Sequence, residues 1–282
     1  MINAIKMDVY RMFKTRSLYV IWLIFTLAFL LMIGVEAYEI KSGQRMARNE
    51  ELMQEENAEE EIVNLGISVQ VIPDNGEVTL LSLTYSQISS KFLALFLVIF
   101  AVLFSTADQT SGYLKQIGGQ IVGRSKLILS KAVALLLFTV LSIVLTILVE
   151  AIGMAVFLGG FHLENAANFF RYLTAATVLN YAFVLLAMAL AILIRNNLIS
   201  MIIVIMLTGD MMMLLYTGIE KLLNRMIGET VSLMQYTLSG RIALLPMYTS
   251  TGELGWAILL ALLYSAAFMI VSCQIFRKRD LA

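Results

Sequence analysis

KAVALLLFTVLSIVLTILVEAIGMAVF, residues 131–157, decides how this chain is read. A helix that crosses a bilayer needs about 20 mostly apolar residues. This run exceeds that length, and after Lys131 its single charged residue is Glu150. Backbone N–H and C=O groups cannot go unpaired in hydrocarbon, so the run must be helical. A membrane β-strand would be shorter and would alternate polar with apolar residues. The run does neither.

Five further runs of the same character lie at residues 17–37, 88–107, 173–194, 198–218 and 254–276. The expected fold class is therefore an all-α polytopic membrane protein with six transmembrane helices. Composition agrees: 60% of the 282 residues are hydrophobic and 14% are charged, where soluble domains carry about 25% charged residues. The first run is too long for a signal peptide, and Glu36, Tyr38 and Glu39 follow it in place of a small-residue cleavage site. The second run is the shortest and is free to begin near Tyr85. Its Lys91 falls near the outer end, where the long stem lets an ammonium snorkel to the interface. Glu36, at the outer end of the first run, is expected to reach water.

An even number of spans puts both termini on one side. Basic residues choose the side. Lys6, Arg11, Lys14 and Arg16 precede the first run. Lys115, Arg124, Lys126 and Lys131 lie between the second and third, Arg195 between the fourth and fifth, and Arg277, Lys278 and Arg279 after the sixth. The positive-inside rule assigns these segments, and both termini, to the cytoplasm. The opposite face then carries the acidic segment 39–87, with Glu50, Glu51, Glu55, Glu56, Glu59, Glu60 and Glu61, and the loop 219–253.

Residues 1–16 read as an N-terminal interfacial helix, because Ile2, Ile5, Val9, Met12 and Phe13 recur near helical spacing while Lys6 and Lys14 point elsewhere. A frayed basic end that only anchors topology is the plainer alternative. Within 39–87, residues 48–62 read as a solvated helix. Val69, Val71 and Ile72, the turn Pro73-Asp74-Asn75-Gly76, and Val78, Leu80 and Leu81 read as a small hairpin. The acidic run would attract a cationic peptide, though most such runs are simply wet surface. The inner connection 108–130 holds Gly112 and the Gly118-Gly119 pair, with Tyr113, Leu114 and Ile117 forming a small apolar face suited to docking on another protein.

Ionisable groups inside spans are costly and earn a functional hypothesis. Glu150 in the third run and Asp210 in the fifth are the two candidates, either lining a translocation route or serving as structural polar contacts. Catalysis finds no support. Asp210 has no second intramembrane aspartate, His162 is the only histidine and Cys273 the only cysteine, so neither a metal site nor a disulfide is expected. The abundant methionines are adaptable packing groups before they are a metal path. The chain is read as a non-catalytic protein with no nucleic-acid partner.

The ordered features resemble the membrane permease subunits of bacterial ABC-2 type transporters, related to bacitracin, lantibiotic-immunity and sodium-efflux systems. The likeness covers residues 1–282 as a single transmembrane domain of the ABC-2 type permease fold. In that family an acidic residue, then Arg-x-x-Gly-Thr, a proline turn, Arg and a Lys entering the next span join the second and third helices. Asp108, Gly112, Arg124 and Lys131 stand at the corresponding positions here. Gln109 replaces the family's Arg, Tyr113 its Thr, and the proline is missing.

The resemblance implies that Asp108, Gly112, Tyr113, Leu114, Arg124 and Lys131 form a coupling loop on a separate ATPase, and that Lys6, Arg11 and Lys14 belong to a helix that helps dock it. It implies two ABC ATPase subunits, carrying ATP and Mg, and a second identical or related permease in a bacterial cytoplasmic membrane, contacting lipid. The chain has no Gly-x-x-x-x-Gly-Lys-Ser/Thr loop, so it carries no nucleotide or other cofactor of its own. The expected cargo is an antimicrobial or other amphipathic, cationic peptide, or a hydrophobic compound. Ion efflux by the same architecture, and a peptide-immunity or sensor protein that transports nothing, are the alternatives.

Overall fold

A computed structural model describes residues 2–42, 78–110, 125–160, 162–163, 165–209, 216, 218–220, 222, 225 and 233–278. The described residues form helices α1 (Ile2–Lys14), α2 (Arg16–Ser42), α3 (Leu80–Ser89), α4 (Phe92–Thr110), α5 (Ser125–Gly153, prolonged by a π turn over Met154–Leu158), α6 (Ala166–Ile194), α7 (Asn197–Thr208), α8 (Leu238–Ala243) and α9 (Thr251–Lys278). The chain is an all-α, multi-pass membrane protein.

Contacts fix the direction of each helix. Trp22 donates from its indole to Ser142 Oγ at 3.0 Å, and Ile33 packs on Gly153, so α2 and α5 run parallel. Phe25 meets Phe96 at 5.3 Å and Phe29 meets Phe92 at 5.4 Å between ring centroids, which makes α4 antiparallel to α2. Phe100 stacks on Phe138 at 4.0 Å and closes this aromatic core. The exposed residues of α2, including Val20, Leu23, Leu27 and Leu31, form the apolar surface that lipid solvates. Helix α6 is the central element: 61% of its spanning window is buried, against 17% for α9.

The described ends of the bundle are distinct. At one, the near end, α1 packs along the start of α5, and Cys273 of α9 lies beside Ser125. At the far end, Leu80 N–H donates to the His162 carbonyl at 3.0 Å, and Asn168 Nδ2 donates to the Met247 carbonyl at 3.0 Å. The first helix and the last turns of α9 therefore share one end.

Six transmembrane helices are not what forms. Among the described residues, Arg16–Ser42, Ser125–Leu158, Ala166–Ile194 and Thr251–Phe276 are long and apolar enough to cross, and the bent pair α3 and α4 makes five if counted as one span. Within the run 198–218 the continuous described helix is α7, whose 12 residues reach about 18 Å of a hydrocarbon core of about 30 Å. It stops where Gly209 turns to an extended backbone, φ −71° and ψ 167°, and Gly holds a helix weakly because it loses most backbone freedom. Hydropathy could not see that stop, since the residues beyond Gly209 and Asp210 are again apolar.

The second run also differs. Its helix begins at Leu80, so the segment read as the second hairpin strand is helical. Thr79 Oγ1 accepts from Ser82 N–H at 3.1 Å and Ser82 Oγ accepts from Thr79 N–H at 3.0 Å, a reciprocal cap that starts α3. Between α3 and α4 the axis bends by 54°, at Lys91 with φ 60°. Lys91 is 4% exposed and Glu36 7%, so neither reaches water as the sequence suggested. Both are engaged within the protein. The other hairpin strand, its turn and the glutamate-rich helix lie outside the described residues.

Candidate functional site

Buried polar clusters and a cavity are built into the bundle. The near-end cluster starts from α1. Asp8 is 2% exposed in an otherwise basic, amphipathic segment, and Ser130 Oγ hydrogen-bonds its carboxylate. Arg11 approaches the same carboxylate at 3.7 Å. One residue along α5, Lys131 is 5% exposed. Its ammonium donates to the Phe104 carbonyl at 3.2 Å and sits 5.1 Å from the centre of the Phe104 ring. Below Phe104, Thr106 Oγ1 donates to Asn197 Oδ1 at 3.3 Å, so α4 is also tied to the start of α7. These bonds hold α1, α4, α5 and α7 together around the place where the inner connection leaves α4 and enters α5.

Of the residues expected in ATPase coupling, Lys131 joins this cluster and Asp108 lies in the last turns of α4. Gly112, Tyr113, Leu114 and Arg124 are outside the described residues. Lys6 and Lys14 are exposed on α1, with Lys14 over the Tyr10 ring at 5.1 Å, whereas Arg11 turns inward. Asp8 and Ser130 were not singled out from the sequence. The available signal was an acidic residue isolated among basic ones on the face of α1 that also carries Met12.

The far-end cluster surrounds Glu150, which is wholly buried. Its Oε2 lies 2.5 Å from Thr84 Oγ1 on α3, and Thr84 Oγ1 is also 2.9 Å from the Leu80 carbonyl. Tyr172 of α6 lies within electrostatic reach of both Glu150 and Tyr85, and the rings of Tyr85 and Tyr172 are 5.8 Å apart. Glu150 Oε1, Gln87 Oε1 and the Tyr172 hydroxyl are buried with no hydrogen-bond partner among the described residues. Thr84 and Gln87 escaped the sequence reading because they fall between the segment read as a hairpin and the run that begins at residue 88. Asp210, the other intramembrane candidate, is outside the described residues.

The cavity follows from α7. Helices α6 and α9 run parallel, since Asn168 meets Met247 at the far end while Phe183 and Tyr264 face one space deeper in. The chain must then return between Arg195 and Met247, and α7 covers only part of that distance. A space of about 160 Å³ opens where the helical path breaks, bounded by Leu207, Thr237, Ser239, Phe183, Tyr264 and Phe268 among others. Arg241, paired with Glu253, braces the far side of this return. Among the described residues no group of three or more His, Cys, Asp or Glu side chains is placed to hold a metal ion.

Residues 52–282 match the family described as protein of unknown function (DUF2705). The chain belongs to that family. No curated protein matches it. The matched region takes in the far-end cluster, Lys131 and the broken return, and leaves α1 and α2 outside.

Proposed function

We propose that the chain is the membrane-spanning subunit of an ATP-driven exporter, worked from the near end of the bundle by separate ATPase chains. The observation that supports this reading is the near-end cluster. A force on the connection between α4 and α5 would pass through Lys131 to Phe104, and through Ser130 and Asp8 to α1. One docked partner could therefore move several helices together. Basic residues gather at that end, with Lys6, Arg16, Lys126 and Arg195 there, and the positive-inside rule makes it cytoplasmic. The absence of a phosphate-binding loop from the sequence assigns ATP and Mg to the partner. A second permease chain, identical or related, completes the assembly in a bacterial cytoplasmic membrane. The glutamates between residues 50 and 61 favour a cationic, amphipathic cargo over an anionic one.

The test is purification of the full chain from its own membrane in mild detergent. ATPase subunits should copurify, with hydrolysis accelerated by cationic amphipathic peptides. A Gly112→Pro/Tyr113→Ala/Leu114→Ala variant that still inserts should lose the ATPase. Equal recovery and equal stimulation in the variant would overturn the coupling role, and stimulation by sodium ions alone would replace peptide with ion as cargo.

A further inference from the structure

We propose that the cavity between α6, α7, α8 and α9 binds a neutral single-ring molecule carrying one hydroxyl group, a ligand of the phenol class, with that hydroxyl held by Ser239. The cavity lies beside the end of α7, and side chains from all four helices bound its volume of about 160 Å³. Volume fixes the size of the occupant. Protein interiors leave few voids larger than a water molecule, and side chains around a void forfeit the dispersion contacts of a packed core. A dry cavity of roughly 150 Å³ lined by Leu, Ile and Phe takes up benzene. The space here is of that size, which gives room for one six-membered ring with a small substituent.

The walls select its chemistry. Phe183 comes from α6, and Tyr264 and Phe268 come from α9, their two rings stacked at 5.7 Å between centroids. Leu186 of α6 and Leu207 of α7 supply aliphatic surface. Aromatic rings that meet offset or edge-on gain energy beyond the burial of their area, so these walls favour a ring over an alkyl chain of equal volume. Among the described residues no Asp, Glu, Lys, Arg or His lines the cavity. A charged ligand would lose its hydration there and find no counter-charge, which disfavours it strongly.

Polar contacts then orient it. The Tyr264 hydroxyl donates to the Tyr236 carbonyl at 2.9 Å. Thr237 Oγ1 accepts from Gly240 N–H at 3.3 Å and donates to the Met234 carbonyl at 3.4 Å. Both side chains are committed to the protein, and Tyr216 is itself partly exposed. Ser239 is the buried group left over. It is 5% exposed, it lines the cavity, and its hydroxyl has no hydrogen-bond partner among the described residues. A hydroxyl withdrawn from water without a partner is costly. A ligand hydroxyl both donates and accepts, so it satisfies Ser239 whichever way the serine hydrogen turns. The site uses nothing from the near-end cluster and stands whether or not the chain works with an ATPase.

The experiment is fluorine NMR of the full chain in mild detergent, titrated with 4-fluorophenol and separately with fluorobenzene, with protein-free micelles as the blank. Both probes should bind saturably, and 4-fluorophenol should bind about two- to tenfold more tightly, the worth of one hydrogen bond. Ser239→Ala should bring the two probes to equal affinity and leave fluorobenzene unchanged. Leu186→Phe and Leu207→Phe fill the cavity from different helices, and each should abolish saturable binding of both probes. If one of them fails to insert, the other still gives the reading. An undiminished preference for 4-fluorophenol in Ser239→Ala would overturn the proposal. So would saturable binding that survives a filling substitution, or a response no greater than that of the protein-free micelles. Equal affinity of the two probes for the wild type would reduce the site to an apolar space and overturn the assignment of a hydroxyl-bearing ligand.

Discussion

Lys131 shows how one side chain can hold two helices. Its ammonium is buried against a carbonyl and an aromatic face of α4. Lys131→Met keeps the stem and removes both interactions, at an expected cost of about 1–3 kcal/mol. Thermal unfolding of the purified chain in detergent measures this, and an unchanged midpoint would show the contact to be idle. Gly153 is a case of close approach. A β-carbon there would stand 2.7 Å from Ile33 Cδ1 and 3.2 Å from Ile33 Cγ2. Gly153→Ala should therefore destabilise by about 1–3 kcal/mol through overpacking, and Ile33→Ala in the same chain should relieve part of that loss. If the second substitution only adds to the first, the two sites do not press on one another. The sequence marked Lys131 as a span entrance without showing what it touches.

At the scale of the element, the informative piece is α3. Its residues carry as much β-branched and turn chemistry as helix signal, and the choice falls to the cap. Thr79 and Ser82 satisfy one another's backbone donors. Thr79→Ala and Ser82→Ala should each cost about 1 kcal/mol, and the double variant should cost less than their sum, because either change alone opens the reciprocal pair. Additive losses in thermal unfolding would mean the two bonds act separately. Asn196 does the same for α7, accepting from Leu198 N–H at 3.0 Å and Ile199 N–H at 3.2 Å, after Arg195 at φ 60° has ended α6. The turn at Arg195-Asn196 was readable in the sequence. The early stop at Gly209 was not, because hydropathy averages across one glycine and one aspartate.

At the scale of the molecule, shared ends are the testable property. In a Cys273→Ser background, cysteines placed at Lys6 and Lys126 should react with a membrane-impermeant maleimide from one side. A cysteine at Leu163, between α5 and α6, should react from the other. All three residues are exposed. Labelling of Lys6 and Leu163 positions from the same side would break the parallel arrangement of α2 and α5. Long apolar runs made the membrane location and the all-helical class legible before any contact was known. Those properties depend on transfer of residues between water and lipid, which is nearly additive along a chain.

The sequence by itself determined that this protein lives in a bilayer as helices, where four of those helices run, and that Glu150 would be an unusual group within one of them. Only the tertiary structure decided that the second span is bent at Lys91, that α7 stops at Gly209, and that Glu150 meets Thr84 of α3. The physical reason is the range of the forces. Lipid partition and helix formation act on neighbouring residues, whereas the surroundings of a buried polar atom are set by residues such as Thr84, 66 positions away along the chain.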